Sequence, residues 1–290
     1  MIGAVQNHRM MSAPTAITRS PAGALQSNLQ PTTTVSHKVR PVKRAVVVVP
    51  TYNEAANAPI LIERLLNLSR PVDVVIVDDN SPDGTAQKVR AHEQFGRRVF
   101  LIENDDRRGF GQACKDGFFW AVDNGYDVCV EMDADLSHDT DSVPRLLEMI
   151  EAGADLVVGS RYLDGIRIIN WPVSRLLLSL FAGKYTRFWT GLPMTDPTSG
   201  FKAIRTNVLR SIDWSGFAAD GYGFIVELHF FVWQNGFAIR ECPIVFTERR
   251  RGASKMSKKI MLESAINVVR LMFHRRRSAP HAALHPATST

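Results

Sequence analysis

The sequence predicts an α/β fold built on a mostly parallel, doubly wound sheet with helices on both faces. Three observations predict it. Between residues 44 and 158, short β-branched runs alternate with stretches whose apolar residues recur at helical spacing. The runs are apolar throughout rather than alternating, as strands buried on both faces must be. Three of them break off into acidic loops, at Glu54, at Asp78 and Asp79, and at Asp133 and Asp135. In an open parallel sheet the carboxyl ends of the strands face one ligand crevice, so all three loops belong there.

The first strand is Arg44-Ala-Val-Val-Val-Val49, closed by Pro50 and followed by a helix with Ile60, Leu61, Leu65 and Leu68 on one side. The second covers 72–77 and ends in Asp78-Asp-Asn-Ser-Pro-Asp-Gly-Thr85. Its Ser-Pro and Asp-Gly pairs make a turn, and Asp83 or Thr85 is placed to cap the next helix. Val99-Phe-Leu-Ile102 is the third strand and 111–121 the third helix. Gly109-Phe-Gly-Gln-Ala-Cys114 lacks the third glycine of a dinucleotide fingerprint and follows the wrong strand, and no phosphate-cradling G-x-x-x-x-G-K-[ST] is present. The glycine pair therefore reads as close backbone packing.

The fourth strand, 128–132, leads into Asp133, Asp135, Ser137 and His138, and Val143, Leu146, Leu147 and Ile150 then mark a helix before the strand Leu156-Val-Val158. Two carboxylates separated by one small residue at a strand end can turn onto a single hard cation, Mg²⁺ or Mn²⁺, with substrate phosphates completing its shell. An acidic crevice repels phosphate unless such a cation intervenes. Tyr52 is suited to stack on a base, and Asp79 to accept hydrogen bonds from a ribose or a base edge.

Further on, 173–189 is a helix with Leu176, Leu177, Leu180 and Phe181 on one face and Arg175, Lys184 and Arg187 nearby. It reads equally as a membrane-interface helix or as an ordinary core helix with its charges in water. Arg175 and Ser179 are one turn apart on it. A helix opening at Gly221 buries Ile225, Leu228 and Val232, with Glu227 expected to pair with an arginine. His138 and His229 are expected to be structural. Ile244-Val-Phe246 reads as a strand before a basic loop, and an amphipathic helix over 260–273 ends in Arg275-Arg-Arg277.

Charge is spread unevenly along the 290 residues. Residues 1–44 hold six Lys/Arg and no acid, 248–277 hold ten basic and two acidic residues, and 45–247 carry −8 of a total of +6. This suits a metal site with a phosphate or membrane-surface partner. Residues 1–43 read as a disordered basic tail, or as sequence upstream of a start at Met10 or Met11, in preference to a transit peptide. Residues 44–274 form the domain and 275–290 a second tail. Cys114, Cys129 and Cys242 form no C-x-x-C pair, which argues against zinc or a disulfide framework and for a reducing compartment. No apolar run reaches the roughly 18 residues of a spanning helix.

Pro50-Thr-Tyr-Asn-Glu54, the 78–85 loop, Met132-Asp-Ala-Asp-Leu-Ser-His138, Gly159-Ser-Arg-Tyr162, Asp196-Pro-Thr-Ser-Gly-Phe201 and Phe246-Thr-Glu-Arg-Arg-Arg-Gly-Ala-Ser-Lys255 occur in one order. Together they resemble the inverting family 2 glycosyltransferases of GT-A fold, and more narrowly the polyprenol (dolichyl) phosphate mannose synthases. The resemblance covers roughly 44–274. It implies a nucleotide-sugar and metal half at 44–165 and an acceptor and lid half at 166–274. It implies that Pro50, Tyr52, Glu54, Val77 and Asp79 meet guanine or ribose, and that Asp133, Ala134 and Asp135 meet the GDP-sugar. Asp133 and Asp135 would also bind the metal, Mg²⁺ or Mn²⁺, with Ser137 as a weaker ligand. Arg161, Arg249 and Lys255 would neutralise phosphate, and Arg161, Arg175 and Ser179 would hold the acceptor phosphate, with Asp135 and Arg161 nearest the chemistry.

The reaction so implied is a one-step inverting transfer of mannose from GDP-mannose to a polyprenyl monophosphate. Such a phosphate is already largely a dianion at neutral pH and needs no general base. Asp196, the fallback base, is assigned a binding or structural role. The expected location is the cytoplasm, in peripheral contact with the cytoplasmic face of a membrane and without nucleic acid. The alternatives are a UDP-glucose-dependent enzyme of the same fold, and a basic scaffold or nucleic-acid-binding protein, which the acidic 45–247 segment opposes.

Overall fold

The structure, a computed structural model, describes residues 40–219, 221–248 and 258–277. Five strands alternate with helices through the first half: β1 (Ala45–Thr51), α1 (Ala58–Leu66), β2 (Asp73–Asp78), α2 (Thr85–Arg90), β3 (Val99–Glu103), α3 (Phe110–Asp123), β4 (Val128–Glu131), α4 (Ser142–Glu151) and β5 (Leu156–Ser160). Then follow β6 (Ile168–Ile169), α5 (Val173–Thr190), β7 (Lys202–Arg205), α6 (Thr206–Ser211), α7 (Tyr222–Gln234), β8 (Ile239–Pro243), β9 (Phe246–Thr247) and α8 (Lys258–Arg277).

Seven strands form one sheet in the order β3-β2-β1-β4-β7-β5-β8, parallel except for β7, while β6 and β9 pair separately. The predicted fold class is the observed one. Side chains alternate across the strands: Val47, Val49, Val74, Ile76, Val128 and Val130 pack with α1 and α4 on one face, and Val46, Val48, Val75, Val77 and Cys129 with α3 and α7 on the other. Successive strands lie on opposite sides of the β1/β4 junction, so the crevice opens where Thr51 and Glu131 end their strands. Gly117 lets α3 lie close to the sheet, since a Cβ there would fall 2.3 Å from Val48 Cγ1.

Several local expectations need correction. Residues 40–43, assigned by composition to the tail, are tied to the domain. Arg40 pairs with Asp155 at 2.8 Å, and the Val42 N–H donates to Glu151 Oε1 at 2.9 Å. The strand read at 244–246 is broken, because β8 stops at Pro243 and β9 begins at Phe246 with Val245 exposed between them. Among the described residues Glu227 meets no arginine; its carboxylate accepts the backbone N–H groups of Ala218 and Ala219. All three cysteines are buried free thiols.

Helix α5 is not a core helix. It packs through Gly183, Thr186 and Thr190, while Val173, Leu177, Phe181 and Phe188 face outward, Phe188 at 77% exposure. It meets α8, where the Tyr185 hydroxyl donates to Ala265 O. Helix α8 is not simply amphipathic either: Val268 and Leu271 are buried, yet Leu262, Ile266 and Phe273 are exposed. Among the described residues no helix is long and apolar enough to cross a membrane.

Candidate active site

The three acidic loops meet at the carboxyl ends of β1, β2 and β4. Thr51 closes β1 and donates its hydroxyl to Asp78 Oδ1 at 2.9 Å, while Ser81 donates both its N–H and its hydroxyl to the same carboxylate. Asp83 accepts from the Ala55 N–H and from the N–H and hydroxyl of Thr85, so it joins the first loop to the start of α2. Burial works against ionisation there, but the Thr85 and Ala55 hydrogen bonds hold the Asp83 carboxyl below its ordinary value.

Asp79 is nearly buried and already engaged. It accepts the backbone N–H groups of Arg108 and Gly109 at 2.8 Å each, and Asn104 donates to it at 3.3 Å. The Gly109 φ of +94° is what presents that N–H. Gly109 thus fixes an acidic loop, beyond the packing role read for the glycine pair from the sequence. Tyr52 carries the Arg107 guanidinium 3.9 Å from its ring centroid, a partner that sequence reasoning missed. The Glu54 carboxylate accepts from the Asn57 side chain at 2.8 Å. Pro50 is partly exposed, while Val77 and Ala134 have buried side chains. These last two can therefore serve a nucleotide chiefly through their backbone.

Asp133 and Asp135 follow β4, with the chain turned sharply between them and His138. Leu136 sits at φ +62°, a left-handed conformation costing a residue with a side chain about 1–2 kcal/mol. The turn brings the Ser137 N–H and hydroxyl back onto Asp135 Oδ1. Ser137 is buried and in this arrangement braces Asp135 instead of offering its oxygen outward, which changes the expectation for it as a ligand. Asp133 lies beside His138, whose Nε2 is 3.3 Å from Oδ2. A Cβ on Gly200 would stand 3.8 Å from both Asp133 oxygens, so the 196–201 loop passes against this carboxylate. Among the described residues no group of three or more His, Cys, Asp and Glu side chains is arranged to hold a metal ion by itself. Two aspartates fit Mg²⁺ or Mn²⁺, which take one or two carboxylates and leave the remaining positions to water and phosphate.

The loop behind Asp133 is held by two buried ion pairs. Arg161 and Asp196 pair side by side, Nε to Oδ2 and Nη2 to Oδ1, both at 2.7 Å, with Thr198 also accepting from Nη2. Burial alone would raise the Asp196 carboxyl, but the Arg161 guanidinium outweighs it and holds the group below the usual carboxylate range. The sequence reading left Arg161 free to meet phosphate; the structure commits it to Asp196. Asp196 is correspondingly saturated, its two oxygens accepting from Arg161 and Thr198.

Lys202 and Glu131, opposite each other in the β7/β4 register, pair at 2.8 Å in full burial, and Lys202 also donates to Gly200 O. Neither was singled out from the sequence. The signal was there, since Glu131 is the one charged residue of β4 and Lys202 opens β7 between Phe201 and the apolar pair Ala203-Ile204. His229 is fully buried, its Nδ1 3.0 Å from Pro197 O, and burial pushes its pKa down to about 3. It is structural, holding the same loop.

At the start of α5, Arg175 Nη1 donates to Glu248 Oε1 at 2.6 Å and its guanidinium lies 4.2 Å from the Trp171 ring centroid. Ser179 accepts from the Tyr162 hydroxyl at 2.7 Å, which leaves its own O–H available to a further acceptor. Arg249 and Lys255 lie outside the described residues.

Comparison with known proteins identifies the family and the fold. The model of glycosyl transferase family 2 matches residues 46–213. Polyprenol monophosphomannose synthase of Mycolicibacterium smegmatis is 42% identical over 233 residues, 79% of this chain and 87% of that protein. Undecaprenyl-phosphate mannosyltransferase of Micrococcus luteus is 42% identical over 78% of this chain and 93% of its own length. Among solved structures, glucosyl-3-phosphoglycerate synthase from Mycobacterium tuberculosis, in complex with Mn²⁺, UDP and glucosyl-3-phosphoglycerate, superposes with a TM-score of 0.59 at 19% identity, covering 82% of this chain and 81% of that one. At that identity the likeness is one of fold.

Proposed function

The chain belongs to glycosyl transferase family 2, and on that premise we propose that it transfers mannose, with inversion, from GDP-mannose to a polyprenyl monophosphate. The observation that carries the reading is the Asp133/Asp135 pair at the carboxyl end of β4, beside the β1/β4 junction of the sheet. Sequence identity with the two mannosyltransferases supports the sugar and the acceptor class.

A divalent cation held by Asp133 and Asp135 would neutralise the diphosphate and its developing charge as the anomeric bond breaks. Everything else falls to side chains. Tyr52 and the first loop take the base, and Asp79 keeps the neighbouring loop in place from within. Ser137 fixes the rotamer of Asp135. Arg175 and the Ser179 hydroxyl, one turn apart on α5, receive the acceptor phosphate. That dianion attacks the anomeric carbon directly, so positioning takes the place of proton abstraction. Arg161 shapes the 196–201 loop from behind. The outward apolar residues of α5 and α8 rest on a membrane surface, where a prenyl chain of the acceptor is found.

The test is transfer from GDP-mannose or UDP-glucose to a short polyprenyl phosphate, with and without Mn²⁺, in wild type and Asp135→Ala. The expected product forms from GDP-mannose, needs the metal and vanishes in the variant. Turnover with UDP-glucose alone would overturn the donor, and metal-independent turnover would overturn the role of the aspartates.

A further inference from the structure

We infer that His138 is a positioning residue whose Nε2–H orients Asp133 for the cation; the inference rests on the metal reading above. Three observations point to it. Nε2 lies 3.3 Å from Asp133 Oδ2, and a carboxylate can only accept, so the ring proton belongs on Nε2. That assignment makes Nδ1 a bare acceptor, and Nδ1 is buried with no partner among the described residues. The ring is 5.0 Å from Phe201 and 5.1 Å from Phe246, centroid to centroid, an aromatic nest in which a phenyl ring would put no buried nitrogen without a partner.

For stability alone, histidine is the poorer choice at this position, because a buried acceptor without a donor is destabilising. What histidine has and phenylalanine lacks is the donor aimed at Asp133. The backbone keeps that donor in place. His138 bridges to Phe246 in β9, and the Thr247 N–H donates to Ser137 O at 3.0 Å, so the imidazole is clamped from both sides. A hydrogen bond from a second layer that fixes a ligating group is commonly worth 10–100-fold in metal affinity.

The experiment titrates Mn²⁺ into the enzyme with saturating GDP, by calorimetry and by the Mn²⁺ electron-spin-resonance signal, for wild type, His138→Phe and His138→Gln. Thermal stability of each metal-free protein is measured alongside. Expected are a His138→Phe protein at least as stable as wild type that binds Mn²⁺ about tenfold or more weakly, and a His138→Gln protein that recovers part of the loss through its amide donor. Wild-type Mn²⁺ affinity in His138→Phe overturns the role while leaving the metal reading intact. A His138→Phe protein that does not fold overturns it, because the imidazole is then required by the fold itself. Equal losses in both variants overturn it. A wild type that binds no Mn²⁺ in the presence of GDP refutes the metal reading and this role together.

Discussion

Arg175 holds the Glu248 carboxylate at 2.6 Å while its guanidinium lies against Trp171. Both side chains are about one-third exposed, so the pair is accessible to an incoming anion. A phosphate monoester presents to Arg175 the same kind of oxygen that Glu248 does, with more charge. With Arg175 in the proposed acceptor role, Glu248 would compete with the acceptor phosphate for it. Removing its charge in Glu248→Gln is expected to lower the acceptor KM about two- to fivefold, the scale of one exposed ion pair. Arg175→Ala is expected to raise it about tenfold or more. The donor KM stays near wild type in both. Steady-state kinetics with varied polyprenyl phosphate decides, and an unchanged or raised acceptor KM in Glu248→Gln rejects the competition.

The Lys202–Glu131 pair predicts an asymmetry between single and double variants. Both side chains are fully buried, so losing one partner strands the other. Lys202→Met is expected to cost about 3–5 kcal/mol, whereas the double variant Glu131→Leu/Lys202→Met returns most of it. Denaturant unfolding of the three proteins measures this. A double variant no more stable than the single one would show that the pair is not the source of the loss.

Much of this was legible in the sequence because each strand carries its own instructions. The β-branched runs gave the strands, and their acidic ends, Glu54, Asp79 and Asp133/Asp135, marked the crevice. What stayed hidden depends on partners distant in the chain. Nothing near Arg161 shows that Asp196 will claim it, nor that Asp79 will be filled by the N–H groups of Arg108 and Gly109. Helical spacing reported the apolar character of α5 but not its direction, since Leu177 and Phe181 fit a core or an interface equally well. Only the small residues Gly183, Thr186 and Thr190 reveal which side packs.

That outward side makes a prediction of its own. Leu177 and Phe181 are exposed on α5, with Leu262 and Ile266 on the neighbouring helix α8. Leu177→Glu/Phe181→Glu is expected to abolish co-flotation with liposomes containing anionic lipid. Turnover of a short-chain acceptor dispersed in detergent stays within about twofold of wild type, surface substitutions being nearly neutral for folding. Retained flotation would reject this face as the contact surface.

The last prediction concerns acid stability. His229 is buried neutral, with its pKa pushed down to about 3, whereas in the unfolded chain it titrates near the ordinary 6.5. The unfolded state thus binds a proton over an interval in which the folded state refuses it. Its contribution is fully present above about pH 6.5 and is lost as pH falls from there toward 3, by at most roughly 1.4 kcal/mol per pH unit. Asn at this position keeps an N–H near Pro197 O and removes the titration. His229→Asn is therefore expected to flatten the dependence of unfolding free energy on pH between about 6.5 and 4. At pH 8 it lowers stability through the smaller side chain alone. Urea unfolding across that range in both proteins decides the matter: parallel curves would mean that His229 is not the group whose protonation unfolds the loop behind Asp133.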